Sequence, residues 1–395
     1  MKPRFLIFFI LVTIAYSNLN GRLIDLYKRG TIKLQNTSNF GAGVDWGLIF
    51  YDLDKNIVVS KDGEIFVSNA SSNNIFKFDS NGKLLQTFGR PGLGPGDINA
   101  PTCYSIIDNK YLVISDFGLN RRISLFDLSG NFVNVIKTSS MSLYAVGLRN
   151  NCIAYNVYSS SRPHGNSLSV SLERAVIINT VTKREIQVES FSKQSNSIRL
   201  NNVSSVRSNS VDYFGYIAIN STSDGNLLVG ISNSKIVKII SPEGKLLKTF
   251  TLNINPIPVT SEFVEEAKKE TLDSIVNRKH VNPELQKMAQ KAVEKTDYRM
   301  FFGDYLPYYS DIYVDSDGNI LVFKFPPCQR KSNPVFQVYS PDGKYICETT
   351  LDIGMYDFEI DHRVKQISFT DKGIFAIVSY EKDDDTHIRL IKVKQ

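Results

Sequence analysis

The sequence predicts an all-β fold: a six-bladed β-propeller closed by an N-terminal strand, with a two-helix insertion between blades four and five. A short pattern occurs twice between residues 56 and 132, in which apolar β-forming residues alternate with polar residues between Asp/Asn/Gly turns. A period of about 40 to 50 residues with four strands per unit is typical of a propeller blade. The stretch 261–296 lacks this pattern and has helical spacing instead.

Residues 1–17 predict a signal peptide, and residues 18–395 predict a single propeller domain. Lys2 and Arg4 precede an apolar run over 5–14 that only Thr13 interrupts, and small residues follow it. The run is shorter than the roughly 20 residues of a spanning helix. We therefore expect cleavage and export to the periplasm or the extracellular space, rather than an uncleaved membrane anchor.

Composition and charge exclude few classes of protein. The chain has 395 residues, of which 42% are hydrophobic and 22% charged, so a large core can form. Removal of Lys2 and Arg4 with the signal peptide lowers the net charge from +6 to +4. Such a modest positive charge does not favour nucleic acid as a partner.

The four cysteines are isolated, and none lies in a Cys-x-x-Cys motif, which argues against zinc or redox motifs. They are Cys103, Cys152, Cys328 and Cys347. Cys328 and Cys347 fall in one predicted blade. In an exported protein they are either a disulfide or a pair of unlinked buried thiols.

The predicted blades begin near residues 57, 104, 151, 216, 311 and 366. Blade three has the weakest pattern, and blade six ends one strand short. The stretch 22–34 alternates like a strand and precedes the first full repeat. We expect it to supply the missing outer strand of blade six, because sealing the ring removes an exposed edge.

The stretch 261–296 is rich in Glu, Lys, Ala, Leu and Gln, which favour helices. Apolar residues keep helical spacing in two separate runs within it. Asn282 followed by Pro283 predicts an N-cap and a first helical position for the second helix.

The repeats of blades one and two resemble NHL-repeat six-bladed propellers. The resemblance is carried by Ile114-Ser115-Asp116, Asn120-Arg121-Arg122-Ile123, Phe126-Asp127, Gly130 and the linker 89–101. With the helical insertion and the signal peptide, the sequence is most similar to exported bacterial six-bladed propeller proteins of unassigned function. The resemblance implies that Asp116 and Arg122 form a structural ion pair. Relatives include sugar-lactone hydrolases, an amidating lyase and binding modules, so this fold does not determine function.

The connections between strands predict where a binding site lies. If the strands of a blade are named A to D from the inside outward, the A–B and C–D turns lie on one face and the B–C and D–A connections on the other. The first set is tight, as at Asp62-Gly63, whereas the second contains long segments at 89–101, 156–173, 254–306 and 324–334. Binding residues concentrate on variable loops of a rigid scaffold, so we expect the site on the B–C/D–A face, partly covered by the helices.

This face carries a cationic set with flanking aromatic residues. We expect ligand binding by Arg90, Arg121, Arg162, His164, Arg299, Tyr308, Tyr309 and Arg330. Arginine forks pair with carboxylates and phosphates, and aromatic rings stack on flat groups. The alternative is that these basic residues serve only solubility.

No catalytic residue, metal site or cofactor is predicted. His164, His280, His362 and His387 lack metal-binding spacing, and no Gly-x-Ser-x-Gly motif occurs. The sequence therefore predicts a monomeric, non-enzymatic module that binds an anionic or carbohydrate ligand or a protein partner. The alternative is a metal-dependent, lactonase-like hydrolase or lyase, with carboxylates and His164 at the mouth of the central channel.

Overall fold

The structure, a computed structural model, describes residues 22–33, 57–69, 72–116, 122–138, 144–161, 169–195, 198–200, 204–206, 215–276, 283–325, 333–352, 363–382 and 385–392. The predicted signal peptide lies outside these residues.

Six radial sheets make up the propeller, each with its strands in chain order from the inside outward. Helix α1 (Arg22–Tyr27) and strand β1 (Thr31–Lys33) precede them. The first three blades are β2 (Ile57–Val59), β3 (Ile65–Asn69), β4 (Asn74–Phe78) and β5 (Leu84–Phe88); β6 (Pro101–Ile107), β7 (Tyr111–Asp116), β8 (Arg122–Asp127) and β9 (Phe132–Lys137); and β10 (Ala145–Leu148), β11 (Cys152–Ser161), β12 (Ser169–Asn179) and β13 (Glu185–Ser195).

A short hairpin, β14 (Ile198–Leu200) and β15 (Ser204–Val206), separates blades three and four. The remaining blades are β16 (Ile217–Ser221), β17 (Leu227–Ile231), β18 (Ile236–Ile240) and β19 (Leu246–Thr251); β20 (Tyr309–Val314), β21 (Ile320–Lys324), β22 (Val335–Tyr339) and β23 (Tyr345–Asp352); and β24 (Arg363–Thr370), β25 (Gly373–Lys382) and β26 (Asp385–Lys392). His387 lies in β26.

Hydrophobic clusters between neighbouring blades hold the ring together. Phe66, Leu112 and Phe126 belong to the cluster between blades one and two, and equivalent clusters fill the next three gaps. Blade six closes the circle by packing on both sides. Its Ile367, Phe369 and Ile374 join the cluster of blade five, and its Phe375 joins that of blade one. The predicted six-bladed fold is thus confirmed.

The predicted place of the N-terminal strand is wrong. β1 pairs in parallel with β23, the outer strand of blade five, and the sixth sheet has three strands among the described residues. The segment before β1 forms α1 rather than a strand. Leu23, Leu26 and Tyr27 have the i, i+3, i+4 spacing of an apolar helix face, and all three are buried against blades five and six.

A β-bulge recurs in the outer strand of five blades. The extra residue is aliphatic in each: Leu85, Val133, Val188, Leu247 and Ile346. An outer strand presents unpaired backbone groups, and a bulge twists it away from edge-to-edge pairing. In blade five, Ile346 packs against the cluster that contains α1.

The tight turns are held by their own side chains. Asp127 Oδ1 accepts hydrogen bonds from the backbone N–H groups of Ser129 and Asn131, and Asp79 and Asp315 repeat this arrangement. Gly130, at φ 85°, provides the left-handed conformation that closes the turn. These aspartates therefore serve hairpin geometry, as the repeat spacing predicts.

The helical insertion is confirmed between blades four and five. It contains α2 (Ser261–Val276), α3 (Pro283–Lys295) and a 3₁₀ turn, Tyr298–Phe301. Its core combines residues from α2, α3 and the turn, such as Val264, Val293 and Phe301, and is separate from the clusters between blades. Phe325, just after β21, joins this core and connects the insertion to blade five.

Candidate functional site

Among the described residues, the long connections between strands lie on the B–C/D–A face of the propeller. In blade three, β11 and β12 continue for six residue pairs beyond the part of β11 that pairs with β10, from 156/175 to 161/170, and β13 follows them. At about 3.3 Å per residue this extension rises about 20 Å. Much of the segment 156–173, predicted as a loop, is therefore strand. The hairpin β14–β15 lies against α3, so the connections on both sides of blade four meet.

Arg90 lies in the connection between blades one and two. Its side chain is 78% exposed, and its Nε lies 2.5 Å from Asp97 Oδ1. The Asp97 carboxylate also accepts the backbone N–H of Gly94 at 2.9 Å. Together the Arg90 and Gly94 hydrogen bonds lower the pKa of Asp97, and the Asp97 hydrogen bond raises that of Arg90.

The ion pair that the resemblance implied is present below this connection. Arg122 Nε lies 3.3 Å from Asp116 Oδ2, and the Asp116 side chain is completely buried. The rest of the Arg122 guanidinium donates to the carbonyl oxygens of Leu93, Gly94 and Asp97. The pair thus holds the connection in place, in addition to joining β7 and β8.

Arg299 stabilises the end of the insertion. Its Nη1 donates to the carbonyl oxygens of Phe302 and Gly303, at 3.1 and 2.8 Å, and its Nη2 lies 3.4 Å from Asp304 Oδ1. These carbonyls lie at the end of the 3₁₀ turn. The guanidinium therefore satisfies backbone acceptors that a helix terminus leaves open.

Tyr308 and Tyr309 have different environments. The Tyr308 ring is half-buried, with Lys235 Nζ 5.5 Å from its centroid. Tyr309 is completely buried between blades four and five, and burial raises the pKa of its hydroxyl well above the ordinary value. Of the two, Tyr308 is the residue that an arriving ligand can touch.

The ring order separates the described members of the predicted set. Arg90 lies at the gap between blades one and two, whereas Arg299, Tyr308 and Tyr309 lie at the gap between blades four and five, on the opposite side of the ring. The other members lie outside the described residues: Arg121, Arg162, His164 and Arg330.

A buried polar network that the sequence reasoning missed lies at the base of the blade-three extension. Glu173 is completely buried, and its Oε1 accepts hydrogen bonds from Asn156 Nδ2 at 3.1 Å and Tyr158 Oη at 3.0 Å. Lys193 Nζ lies 3.9 Å from Glu173 Oε2 and donates to the carbonyl oxygen of Gly215. Asn156 also donates to Ile217 O. The bonds from Lys193 to Gly215 and from Asn156 to Ile217 join the extension to the start of blade four.

No sequence motif marks this network. Its members are spread over 156–193 and come together only through the register of β11, β12 and β13. The stretch 156–193 is rich in Ser and Val, but it also contains Arg162, Arg174, Lys183, Arg184, Glu185 and Glu189, so its composition does not single out Glu173 and Lys193. Charged residues are seldom completely buried unless they are paired, and only the strand register shows which two are.

Cys152 and Cys347 are free thiols, which favours the unpaired alternative for Cys347. Burial is the main cause that raises the pKa of both. Cys328 lies outside the described residues. Within the part of the chain that the structure describes, no three His, Cys, Asp or Glu side chains are grouped to hold a metal ion. None of the described helices has the length and apolar character needed to cross a membrane.

The sheets and their closure define a six-bladed β-propeller, and the comparison with protein families agrees. The model of the DUF5128 family, described as a 6-bladed beta-propeller, matches residues 55–214. No curated protein matches the chain.

Similar solved structures have low sequence identity. A protein from Bacteroides fragilis NCTC 9343 that is described as exported is 10% identical, with 92% of this chain and 100% of that chain covered and a TM-score of 0.47. A member of the duf4221 family from Bacteroides vulgatus is 10% identical, with coverages of 88% and 95% and a TM-score of 0.46. Virginiamycin B lyase from Staphylococcus aureus is 12% identical, with coverages of 91% and 88% and a TM-score of 0.40.

Proposed function

We propose that this chain is an exported, monomeric β-propeller that binds a ligand or a protein partner on its B–C/D–A face. The observation that carries the proposal is the one-sided elaboration of the scaffold. The blade-three extension, the β14–β15 hairpin and the helical insertion all project from that face, whereas the A–B and C–D turns are short.

Exposed apolar side chains also occur on the same face. Large hydrophobic residues that are more than about a third exposed lie on its long connections and helices: Leu93, Leu172, Ile257, Val276, Leu285, Met300 and Tyr305. On the opposite face, such residues lie in a C–D turn or at the start of an outer strand beside one: Leu85, Val133, Val181, Leu246, Leu247 and Tyr345. The proposal therefore rests on the one-sided elaboration and not on a difference in exposed apolar residues between the faces.

The test is a thermal-shift screen of the purified mature chain with glycans, peptides and small anions. We expect at least one class to raise the melting temperature, because a ligand that binds only the folded state stabilises it. Tyr305→Ala, on the elaborated face, should reduce the shift, whereas the matched control Val181→Ala should not.

Two results would contradict the binding proposal. One is the absence of any shift together with turnover of a lactone or a peptide bond. The other is a stoichiometric, tightly held divalent ion in the purified protein, which would favour the metal-dependent hydrolase or lyase.

Export rests on residues 1–17, and it is tested separately. Expression with the complete N-terminus should release a mature chain that begins after Ser17, as determined by N-terminal sequencing. A chain that retains Lys2 and Arg4 in the cell interior would contradict export without affecting the binding proposal.

A further inference from the structure

We propose that the 89–98 loop is a preformed knob that docks on a protein partner, with Leu93 as the apolar anchor and the Arg90 guanidinium pairing with an acidic residue beside the partner's apolar surface. The inference rests on the proposed binding function and names the class of partner for one part of the face.

The loop is held from below by Arg122. Its guanidinium donates to Leu93 O at 3.1 Å, to Gly94 O at 2.9 Å and to Asp97 O at 2.5 Å. The side chain is 11% exposed, and the Asp116 carboxylate that pairs with it is completely buried. A buried ion pair needs further hydrogen bonds to offset its desolvation. Here those bonds go to loop carbonyls, so the propeller core determines the loop conformation.

The loop is also cross-linked within itself. Asp97 accepts from Gly94 N and Arg90 Nε, while Ile98 N donates to Arg90 O at 2.9 Å. A Cβ on Gly92 would lie 2.3 Å from Asp97 Oδ2, so the backbone packs directly on this carboxylate. Asn73, in the B–C turn of blade one, accepts from the N–H of Ala100 just beyond the loop. Hydrogen bonds therefore hold the loop within itself, from below by Arg122 and at its C-terminal end by Asn73.

Four side chains of this loop are exposed, those of Arg90, Pro91, Leu93 and Pro95. Leu93 has the longest apolar side chain among them, and Arg90 is the charged one. Leu93 is 64% exposed, and Arg90 is 78% exposed with only its Nε bonded among the described residues. Single exposed hydrophobic residues are common on protein surfaces. Leu93 differs from such an isolated residue because it lies beside an exposed guanidinium edge on a loop whose backbone is held by hydrogen bonds. The loop therefore loses little conformational entropy when it binds a partner.

Charge and shape indicate the kind of partner. The side chains of Asp116, Asp97 and Arg122 are 0%, 14% and 11% exposed. Arg90 is paired with Asp97 through its Nε, but it is 78% exposed, so the outer edge of its guanidinium is the charged group that this loop presents. Arginine is enriched at the energetically important centres of protein interfaces and pairs with carboxylates through its planar edge. Small ligands bind in concave pockets. A projecting loop with an apolar tip instead fits an apolar surface with an acidic neighbour on another protein.

The experiment selects binders of the full mature chain from a library of short random peptides displayed on phage. Selected peptides are then measured by fluorescence anisotropy against the wild type, Leu93→Ser and Arg90→Gln. Matched controls on the opposite face are Val181→Ser, at a residue 71% exposed, and Lys83→Gln, in the C–D turn of blade one. Circular dichroism and thermal unfolding establish that each variant is folded.

We expect selected peptides with Asp or Glu beside an aliphatic or aromatic residue. Leu93→Ser and Arg90→Gln should each weaken their binding about tenfold, equivalent to about 1.4 kcal/mol, with both controls unchanged. Replacement of the peptide's acidic residue by its amide should weaken binding to the wild type about tenfold. The same replacement should change binding to Arg90→Gln little.

Three outcomes would overturn the proposal that this loop docks on a protein partner. In the first, peptides bind every loop variant equally but lose affinity for Tyr305→Ala, which leaves the proposed face intact. In the second, no peptide is enriched. In the third, anionic phospholipid vesicles, and no peptide, bind in a way that depends on Leu93 and Arg90, which would assign the loop to a membrane surface.

Discussion

The Tyr309 hydroxyl shows how tightly one buried residue is fitted between blades four and five. The side chain is completely buried, and the hydroxyl has no hydrogen-bond partner among the residues that the structure describes. A Cβ on Gly230 would lie 2.5 Å from this oxygen. Glycine at position 230 therefore makes room for a polar atom that gains no hydrogen bond in return.

Removing the hydroxyl should not destabilise the protein. We expect Tyr309→Phe to leave the free energy of unfolding unchanged or to raise it, because a buried hydroxyl without a partner pays only a desolvation cost. Gly230→Ala should cost about 1–3 kcal/mol by overpacking, and the double variant should recover most of that cost. Urea unfolding of the wild type, the two single variants and the double variant measures these free energies. An equal cost of Gly230→Ala in the wild type and in Tyr309→Phe would contradict the expectation.

Arg122 is the second residue whose environment leads to a definite expectation. We predict that Arg122→Ala lowers the free energy of unfolding by about 3–5 kcal/mol, because it leaves the buried Asp116 carboxylate without its countercharge. The loss should appear in urea unfolding and should be partly recovered in Asp116→Asn/Arg122→Met. Lys83→Gln, at an exposed residue of the C–D turn of blade one, serves as the control and should not alter the unfolding midpoint.

At the scale of elements, the segment formed by α1 and β1 fastens blade five to blade six. Tyr27 lies in the cluster of these two blades, with its ring edge-on to Phe336 and Phe369. Its hydroxyl donates to Asp315 Oδ2 at 2.9 Å, and Thr349 Oγ1 donates to its carbonyl oxygen. Ile32 of β1 is also buried beside them. The segment thus covers an outer edge with both backbone pairing and apolar packing.

Tyr27→Phe should make stability more dependent on pH. Burial, the largest cause, raises the pKa of Asp315, and the Tyr27 hydrogen bond opposes that rise. Without the hydroxyl, the folded-state pKa rises further. Stability associated with a raised carboxyl pKa is present below the unfolded-state pKa and is lost as the pH rises through the folded-state pKa.

The loss in the free energy of unfolding caused by Tyr27→Phe should therefore be small in acid and reach about 1–3 kcal/mol at neutral pH. Urea unfolding over a pH series measures it, with Tyr345→Phe, at a residue 45% exposed, as the control. A deficit independent of pH would show that lost packing or a hydrogen bond to the neutral acid accounts for the effect.

At the scale of the molecule, the propeller is a ring of blade cores with one separate core attached. The insertion packs mainly on itself, and a short ribbon connects it to the ring. In this ribbon, Val259 N donates to Asp304 O and Leu306 N donates to Ile257 O. Among the described residues, the blade clusters contain no residue of α2 or α3, so we expect the ring to close without the helices.

Excision of the insertion should therefore preserve the propeller. We expect a variant that joins Val259 to Asp304 through an Asn-Gly turn to fold cooperatively, with a modest loss of melting temperature because Phe325 and Leu306 lose their cover. Ligands detected in the thermal-shift screen should bind it more weakly. Circular dichroism and calorimetry measure the first expectation; a variant that cannot fold would show that the helices belong to the main core.

Much of the blade architecture follows from local patterns. Alternation of apolar and polar residues, with Asp-Gly turns such as Asp317-Gly318, predicts strands and hairpins because each depends on a few neighbouring residues. The same holds for α2 and α3, whose composition differs from that of the blades. In blade three the strands extend into a Ser-rich stretch, 156–161, where propensity is weak and pairing with β12 decides the conformation.

The site was less predictable because its contacts join residues far apart in the chain. The sequence places Arg90, Arg299 and Tyr308 on one face, but it does not show that the first is across the ring from the other two. Nor does it show that Glu173 is buried with Lys193, since that depends on how three long strands are aligned.

By itself, therefore, the amino-acid order established repeated hairpins, the place of the helices and the face that carries long connections, because periodicity and turn chemistry act over a few residues. Only the folded ring decided that β1 joins blade five, that Tyr309 is enclosed and that Arg122 holds the loop carrying Leu93. Those outcomes depend on which surfaces meet when six sheets close into a circle, and the packing of distant side chains determines that closure.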